Sequence, residues 1–346
     1  PSLDKGAMET YLATLPEGNQ RRFITELVGK RSRDTGISYL EGYERFWLPV
    51  EGQEDWVRMF PSINATGTDT LRMSSQNPNE QNISRKKGLN LRYAFGPAPG
   101  REWWCMDAKN IERRLPAYDC KEDEVIALFE RPDDPPYYGS EHGMVAHILF
   151  PREFETCVGE GGNLDARIFK DRFPAEYGTT KNFNFAVQYG AIDKADGTGT
   201  ADRAVGIPGA QARVKGRFYK QEKMNQYLIA FANRHGYVES MADRTVDPKR
   251  GYPILCTRTE RGRILETVPF NYKYQSSAMW WMAKAMVKCR EQMNEWNRRL
   301  GKIAYCTVVQ IHDELIVEMP KRDHPKKSAK SSNLSRAKVL KGLMES

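Results

Sequence analysis

The sequence has 346 residues, a formal net charge of +8 and 40% hydrophobic residues. Its length exceeds what one hydrophobic core usually covers, so two or three subdomains are expected, and its apolar content excludes an intrinsically disordered chain. The positive charge favours a polyanionic partner, such as nucleic acid.

The cysteines and the apolar runs argue against a zinc-binding, a secreted and a membrane-spanning protein. The six cysteines form no C-x-x-C pair and the histidines are scattered, which argues against a zinc site. No signal peptide and no apolar run of membrane-spanning length is visible, so we expect a reduced intracellular compartment and no membrane contact. The chain begins at Pro1 instead of Met, which predicts a processed or cut fragment.

The first hundred residues combine helical patterns with one dense polar segment. Residues 21–30 and 38–47 predict helices, and residues 92–95 predict a strand. Residues 70–85 are rich in Asn, Gln and Ser. A long surface loop has this composition, but amide side chains beside arginines also suit phosphates and minor-groove acceptors.

A predicted strand that ends on an acid comes next. Residues 102–107 deliver Asp107 just before a helical pattern over residues 110–115. A carboxylate at the end of a strand is a common metal-site geometry, and a cap of the following helix is the competing role for Asp107. Pro116 lies early in this helix and is expected to kink or end it.

Residues 141–150 predict a helix that carries two histidines. His142 and His147 are five residues apart, so they do not share a face. A lone histidine is more often structural than a ligand, and this role competes with a binding role for both.

Residues 177–191, which combine aromatic and polar side chains, predict a ligand-binding helix. A threonine at 179–180 is expected to cap it and Gly190 to end it. Lys181, Phe185 and Tyr189 then share one face. An ammonium near the helix N-terminus, followed by two rings, suits a triphosphate with a stacked base and sugar. An amphipathic helix that buries both rings is the alternative.

Three further helices are predicted in the C-terminal half. They cover residues 209–235, 269–300 and 335–344. In the second of them Asn271 and Gln275 are four residues apart, so both amides project on one side.

A hairpin with acids at its tip precedes the last helix. Residues 304–309 and 315–317 predict strands, and His312, Asp313 and Glu314 lie between them without Gly or Pro. Adjacent carboxylates repel each other unless a cation lies beside them, and a hard divalent metal with oxygen ligands would supply that charge. A solvated turn that carries two acids is the alternative.

Six motifs follow one another along the chain. They are Arg72-Met73-Ser74-Ser75 with Pro78-Asn79 and Gln81-Asn82-Ile83, Asp107 to Arg114 (D-x-x-x-I-E-x-R), Lys181 to Gly190 (K-x-x-N-F-x-x-x-Y-G), Gly236 to Glu239 (G-Y-V-E), Asn271 with Gln275 (N-x-x-x-Q), and Gln310 to Glu314 (Q-x-H-D-E). Their order and spacing resemble those of family A DNA polymerases, the bacterial DNA polymerase I group, over residues 61–318.

The resemblance implies an α+β, right-hand polymerase fold with an antiparallel-sheet palm, mostly helical fingers and a truncated thumb. Residues 1–60 would be the thumb remnant and residues 120–262 the fingers. The palm would comprise residues 61–119 and, with a C-terminal tail, residues 263–346. No exonuclease domain is expected in this chain.

The resemblance also implies DNA-templated DNA synthesis, in which a monomer bound to primer–template DNA adds dNTPs to the primer 3′-hydroxyl. Two Mg²⁺ ions, for which Mn²⁺ can substitute, would be held by Asp107, the carbonyl of Ala108 and Asp313. Glu314 and Lys181 complete the implied catalytic set. The expected location is the bacterial cytoplasm or nucleoid, a phage-infected cell or an organelle.

The remaining implied contacts concern the nucleotide and the DNA. The nucleotide contacts are Glu112, His142, Arg172, Lys181, Phe185 and Tyr189. The DNA contacts are Arg72, Asn79, Gln81, Asn82, Arg85, Asn271, Gln275 and His312. Glu112 and Tyr189 would close off the sugar 2′ position. The chain departs from the family pattern at Tyr177, where an arginine is common, and Arg172 or Lys170 is the expected substitute.

Two other functions stay open at this point. A single-subunit RNA polymerase of the phage type shares the palm and the helix lysine, but Glu112, Phe185 and the His-Asp-Glu turn favour DNA synthesis. A catalytically impaired DNA-binding fragment would keep the basic cleft, and the retention of both Asp107 and Asp313 argues against it.

Overall fold

The chain folds into two compact units, and each unit is made of three separate stretches of the sequence. The computed structural model describes residues 7–8, 11–12, 15–65, 67–83, 85–86, 89–191, 194, 196–241, 251–321 and 332–345. The first unit comprises Pro1–Ala65, Met73–Met106 and Cys289–Leu343, and the second comprises Thr66–Arg72, Asp107–Lys288 and Met344–Ser346. The division into thumb, palm and fingers segments stays a prediction.

The first unit combines one long helix with short antiparallel strand pairs and a three-stranded sheet. Its elements are α1 (Asn19–Glu44), β1 (Leu48–Val50), β2 (Gln53–Arg58), β3 (Ser62–Asn64), β4 (Ser74–Gln76), a 3-10 helix (Glu80–Asn82), β5 (Arg85–Lys86), β6 (Leu89–Asn90), a second 3-10 helix (Leu91–Ala94) and β7 (Arg101–Asp107). The last residue of β7, Asp107, is counted with the second unit.

The second unit is largely helical. Its elements are α2 (Ile111–Cys120), α3 (Asp123–Glu130), α4 (Glu141–Leu149), α5 (Pro151–Glu155), α6 (Ala166–Arg172), α7 (Pro174–Gln188), α8 (Thr200–Val205), α9 (Ala210–Arg217), α10 (Tyr219–His235), β8 (Tyr237–Glu239), β9 (Pro253–Leu255) and most of α11 (Thr267–Leu300). The chain then returns to the first unit with β10 (Cys306–Ile311), β11 (Glu314–Pro320) and α12 (Ser332–Glu345). None of the described helices is both long enough and apolar enough to cross a membrane.

The three-stranded sheet has the order β10-β11-β7. Its β10 and β11 strands are antiparallel, with Ile311 opposite Glu314. The central strand β11 is covered on both faces, because Leu315 and Ile316 are both buried although they point to opposite sides. Glu318 joins β11 to β7, since its carboxylate accepts a hydrogen bond of 3.0 Å from the Trp103 indole N–H. The sequence thus predicted both arms of the hairpin.

Helix α7 places its apolar residues in a core formed by several helices of the second unit. Phe183 and Val187 are buried in one cluster with Val125, Val145 and Val214 from α3, α4 and α9. Burial of this face fixes the rotation of α7 about its axis, and therefore which of its side chains remain outside the core.

Pro116 does not end helix α2, which was one of the two outcomes expected from the sequence, the other being a kink. The helix continues to Cys120 with Pro116 buried inside it. A proline removes the hydrogen bond to the carbonyl four residues earlier, here that of Glu112. The side chain of Gln188 donates a hydrogen bond of 2.9 Å to this carbonyl instead. A contact from α7 therefore satisfies the acceptor that the proline leaves without its helical partner.

Two local predictions were wrong. Residues 92–95 were expected to form a strand, but Leu91–Ala94 is a 3-10 helix, because the Asn90 side chain accepts a hydrogen bond of 3.2 Å from the Arg92 N–H and caps it. The predicted helix over residues 209–235 is interrupted at Phe218, which ends α9 and precedes α10.

Candidate active site

The tip of the β10–β11 hairpin carries the predicted acids in different environments. His312 adopts a left-handed conformation with φ of 55°, which allows the reversal without glycine. The Gln310 side chain donates to the His312 carbonyl. Glu314 is buried and accepts a hydrogen bond of 2.9 Å from the Arg92 guanidinium, whereas Asp313 is partly exposed. Arg92 is therefore a cation beside one of the two carboxylates, and the sequence analysis placed it only in a predicted strand.

The first of the predicted DNA motifs is attached to the strand before this tip. The Gln81 side chain donates to both the backbone and the side-chain oxygen of Gln310, each at 3.2 Å. Asn79 caps the 3-10 helix by accepting a hydrogen bond of 3.1 Å from the Gln81 N–H. Asn82 is exposed at the end of that helix, and Arg85 lies in β5 with its side chain outside the described part of the chain.

Asp107 is exposed at the end of β7 and does not cap helix α2. The N-cap residue of α2 is Asn110, in a left-handed conformation with φ of 58°. The competing role as a helix cap is therefore wrong, and Ala108 lies in the connection between the strand and the helix. Among the described residues, no three or more His, Cys, Asp or Glu side chains form a group that could hold a metal ion.

Glu112 is held by protein groups on its side chain and its backbone. One carboxylate oxygen accepts a hydrogen bond of 2.6 Å from the Tyr189 hydroxyl, and the other forms an ion pair with Arg72. The Tyr189 ring stacks on Phe185 with centroids 6.2 Å apart. The structure thus brings together three predicted nucleotide contacts and one predicted DNA contact.

Lys181 does not lie near a helix N-terminus. Helix α7 begins at Pro174, which suits a first helical position, so Lys181 is its eighth residue and Thr180 is buried in its interior. The helix dipole acts over the first turn only. The expectation that the lysine works together with the positive end of the helix is therefore wrong. Lys181 itself is exposed.

The surroundings of Tyr177 separate the two basic residues expected to compensate for it. The Lys170 ammonium lies 5.9 Å from the centre of the Tyr177 ring. The Arg172 guanidinium instead donates a hydrogen bond of 2.9 Å to the carbonyl of Thr156. Tyr177 and Lys170 line a cavity of about 240 Å³ together with Lys109 and His142.

His142 is kept neutral by its position in α4. Its ring meets Phe185 at 5.3 Å between centroids, and its Nδ1 lies 3.2 Å from the side-chain nitrogen of Asn184. Burial and, to a smaller extent, the positive charges of Arg113 and Lys181 together lower the pKa of His142 to about 4. At neutral pH His142 can therefore donate one hydrogen bond but carries no charge.

Arg113 and Asn184 are parts of this site that the sequence analysis missed. Arg113 is buried and forms an ion pair with Glu141, and it also donates to Asn184. The available signal was helical spacing: residues 113, 116 and 117 share one face of α2, and an arginine on an otherwise apolar face requires a buried partner.

The remaining predicted DNA contacts lie on α11 and in the hairpin turn. Asn271 and Gln275 are partly buried on successive turns of α11, and the side-chain oxygen of Asn271 has no hydrogen-bond partner among the described atoms. His312 is exposed.

Comparison with known proteins extends these observations. The sequence profile of DNA polymerase family A matches residues 167–341, which is just over half of the chain. The chain is 28% identical over 272 residues to the thermostable DNA polymerase I of Thermus aquaticus, a match that covers 76% of the chain and 28% of that protein. It is 27% identical over 289 residues to DNA polymerase I of Caldicellulosiruptor bescii, covering 82% of the chain and 30% of that protein.

A solved structure described as the POL domain of Pol1 from M. smegmatis, in complex with DNA primer-template and dNTP, has a similar fold. Its TM-score is 0.70 at 19% identity, over 99% of this chain and 53% of that chain. The fold is thus that of a polymerase domain, which confirms the predicted α+β class and polymerase fold. The chain belongs to DNA polymerase family A. It spans less than a third of the length of the two curated relatives.

Proposed function

We propose that this chain catalyses DNA-templated addition of dNTPs to a primer 3′-hydroxyl. Family membership supports the reaction class. The observation that carries the choice of dNTPs is the 2.6 Å hydrogen bond between the Tyr189 hydroxyl and the Glu112 carboxylate. The two side chains, held by this bond, would occupy the place beside the sugar that a 2′-hydroxyl needs.

The proposed metal ligands are the carboxylates of Asp107 and Asp313 and the carbonyl of Ala108. Oxygen donors of this kind fit Mg²⁺, with Mn²⁺ as a substitute. Asp107 is the last residue of β7 and is exposed, and Asp313 lies in the turn after β10 and is partly exposed. Two bound Mg²⁺ ions would activate the primer hydroxyl and stabilise the charge on the leaving pyrophosphate. Glu314, which Arg92 neutralises, would shape the turn and has no direct ligand role in this proposal.

The nucleotide would be bound by residues of α4, α6 and α7. Lys181 supplies a positive charge to the triphosphate, and neutral His142 donates a hydrogen bond to it. Phe185 packs against the nucleotide. Lys170, whose ammonium lies over the Tyr177 ring, is a better placed second cation than Arg172, whose guanidinium is bonded to Thr156.

Primer–template DNA is the proposed macromolecular partner. The residues proposed to contact it are Arg72, Asn79, Gln81, Asn82, Arg85, Asn271, Gln275 and His312. Phosphate contacts by a chain with a net charge of +8 should make binding weaken steeply with salt.

The test is primer extension on a recessed template at low salt with Mg²⁺ and four dNTPs. We expect extension by the parent protein and none by Asp313→Asn. Asp34→Asn is the matched control, because Asp34 is exposed and pairs only with the nearby Lys30 in the described structure. Binding of primer–template without extension by the parent would instead support an impaired DNA-binding fragment.

A further inference from the structure

Arg113 fixes the orientation of the Asn184 side chain. The Arg113 Nε donates a hydrogen bond of 2.7 Å to Glu141, and its Nη2 donates to the side-chain oxygen of Asn184 at 3.2 Å. A guanidinium can donate but cannot accept. The atom of Asn184 that faces Arg113 must therefore be the oxygen, and the amide nitrogen must point the other way.

The oriented amide in turn determines where His142 carries its proton. The Asn184 nitrogen lies 3.2 Å from His142 Nδ1. An amide NH₂ group has hydrogens to donate and no acceptor, so Nδ1 must be the acceptor and cannot carry a hydrogen. A neutral imidazole has one N–H, which is then on Nε2.

The charged groups around His142 indicate which kind of ligand could accept a hydrogen bond from this Nε2–H. The charged residues that line the same cavity are Lys109, Arg113, Glu141, Arg167 and Lys170. Of these, Glu141 is paired with Arg113, and Arg167 is paired with Asp165. Lys181 on α7 adds a further positive charge that acts on His142. The surplus of positive charge favours an anionic ligand at this cavity.

We propose that Arg113, acting through Asn184, is a positioning residue that holds His142 as the Nε2–H tautomer, so that its imidazole donates to a nucleotide phosphate. This inference rests on the proposed polymerase function for the identity of the anion. The tautomer itself rests only on the hydrogen-bond chain in the second unit. A role in orienting Asn184 also explains why the buried Arg113–Glu141 ion pair is kept, since such pairs add little stability compared with apolar residues of similar volume.

The test is NMR of the protein with ¹⁵N-labelled histidine, since the sequence contains only five histidines. The His142 signals are assigned by their loss in His142→Gln. In the parent protein we expect a protonated Nε2 and an unprotonated Nδ1. His147 is the internal reference, because its Nδ1 lies 3.1 Å from the Tyr137 hydroxyl and makes no contact with Asn184.

Asn184→Asp replaces the hydrogen-bond donor that faces His142 Nδ1 by an acceptor and keeps the side chain nearly the same size. Both carboxylate oxygens accept, so we expect Nδ1 of His142 to become protonated while the His147 signals stay unchanged. An unprotonated Nδ1 in this variant, or a protonated Nδ1 in the parent, would overturn the proposal.

A second variant covers the case in which Asn184→Asp does not fold. Arg113→Met combined with Glu141→Met removes both members of the buried ion pair and leaves no unpaired charge. The Asn184 amide is then free to rotate, and we expect a mixture of the two His142 tautomers. A single Nε2–H tautomer in the double variant would show that Arg113 does not set the orientation.

Kinetics test the phosphate contact separately. With Asn184→Asp we expect the KM for dNTP to rise about tenfold with a kcat within about twofold of the parent. A kcat loss with an unchanged KM would contradict a role in nucleotide binding. Absence of extension by the parent would refute the polymerase function. The NMR measurement of the His142 tautomer needs no activity, so it tests the role of Arg113 independently of that function.

Discussion

Glu314 and Glu112 are both paired with arginines, but the two carboxylates are held in different ways. Glu314 is buried and accepts a hydrogen bond from Arg92, and the residue before it, Asp313, is partly exposed. Glu112 has one carboxylate oxygen on Tyr189 and the other on Arg72. In the first unit the protein pairs one acid of an adjacent pair with an arginine, and the other acid is partly exposed. In the second unit it holds Glu112 through both carboxylate oxygens.

The largest difference between these acids should appear in catalysis. Asp313→Asn should reduce the single-turnover rate of primer extension by about 10³-fold, because a ligand of the proposed metal site is lost. Glu314→Gln should cost only about tenfold, since Arg92 already balances its charge. Quench-flow kinetics with saturating dNTP measure both rates. Equal losses for the two variants would contradict the division of roles between them.

The Arg92–Glu314 pair should matter more for stability than for chemistry. Arg92→Met leaves a buried carboxylate without its cation, so the free energy of unfolding should fall by about 3 kcal/mol. Arg92→Met/Glu314→Met should recover most of this loss. Urea denaturation gives both values.

The control for this pair is an ion pair on the surface. Arg131 and Asp134 are both exposed, so Arg131→Met should change the free energy of unfolding by less than about 0.5 kcal/mol. If Arg92→Met is no more destabilising than Arg131→Met, Arg92 does not neutralise Glu314 in a buried environment.

The proposed barrier of Glu112 against a 2′-hydroxyl can be weakened without replacing Glu112 itself. Tyr189→Phe deletes the hydroxyl that donates to Glu112, and of the two described partners of this carboxylate only Arg72 then remains. We expect the preference for dATP over ATP to fall about tenfold, with the dATP rate nearly unchanged. Phe185→Tyr is a useful comparison, because it adds a hydroxyl on the same helix face. Unchanged discrimination in Tyr189→Phe would mean that the hydrogen bond does not position Glu112.

Glu80 in the first unit and His142 in the second should give opposite pH dependences of stability. Burial raises the pKa of Glu80 to about 7, so stability from this group is present at low pH and is lost as pH rises towards 7. Burial lowers the pKa of His142 to about 4, so stability from this group is present above pH 6.5 and is lost as pH falls towards 4.

The two contributions partly cancel between pH 4.5 and 6.5, and single variants should reveal them. Relative to the parent, the slope of unfolding free energy against pH should become more negative in His142→Gln and more positive in Glu80→Gln. Each change should be about 1 kcal/mol per pH unit. Urea denaturation across this range measures the slopes. Parallel pH profiles for both variants would contradict the assigned burial of these groups.

Local sequence patterns were sufficient for the elements that carry the acids. Residues 102–107 predicted a strand that β7 reproduces, and the two apolar runs around His312 predicted β10 and β11. The spacing of Phe185 and Tyr189 correctly placed both rings together. These features depend on the period of a strand or a helix, which a few neighbouring residues determine.

Local sequence patterns could not predict which side chains contact each other across long distances in the sequence. Arg92 lies 222 residues from Glu314 along the chain, and either could have found another partner. Pro116 looked like a helix end because its compensation comes from Gln188 on another helix. Helix α7 started earlier than predicted because Thr180 is a buried interior residue rather than a cap. For Arg92 and Pro116 the deciding contact comes from a distant part of the sequence, so a local pattern cannot predict it.

The most direct test of the account is single-turnover primer extension by the parent protein with dATP and with ATP opposite a template dT. A DNA polymerase whose sugar pocket is closed by Glu112 and Tyr189 should incorporate dATP at least about 100-fold more efficiently than ATP, in a reaction that requires Mg²⁺ or Mn²⁺. Equal use of both nucleotides would contradict the DNA polymerase assignment, and so would tight binding of primer–template with no incorporation of either.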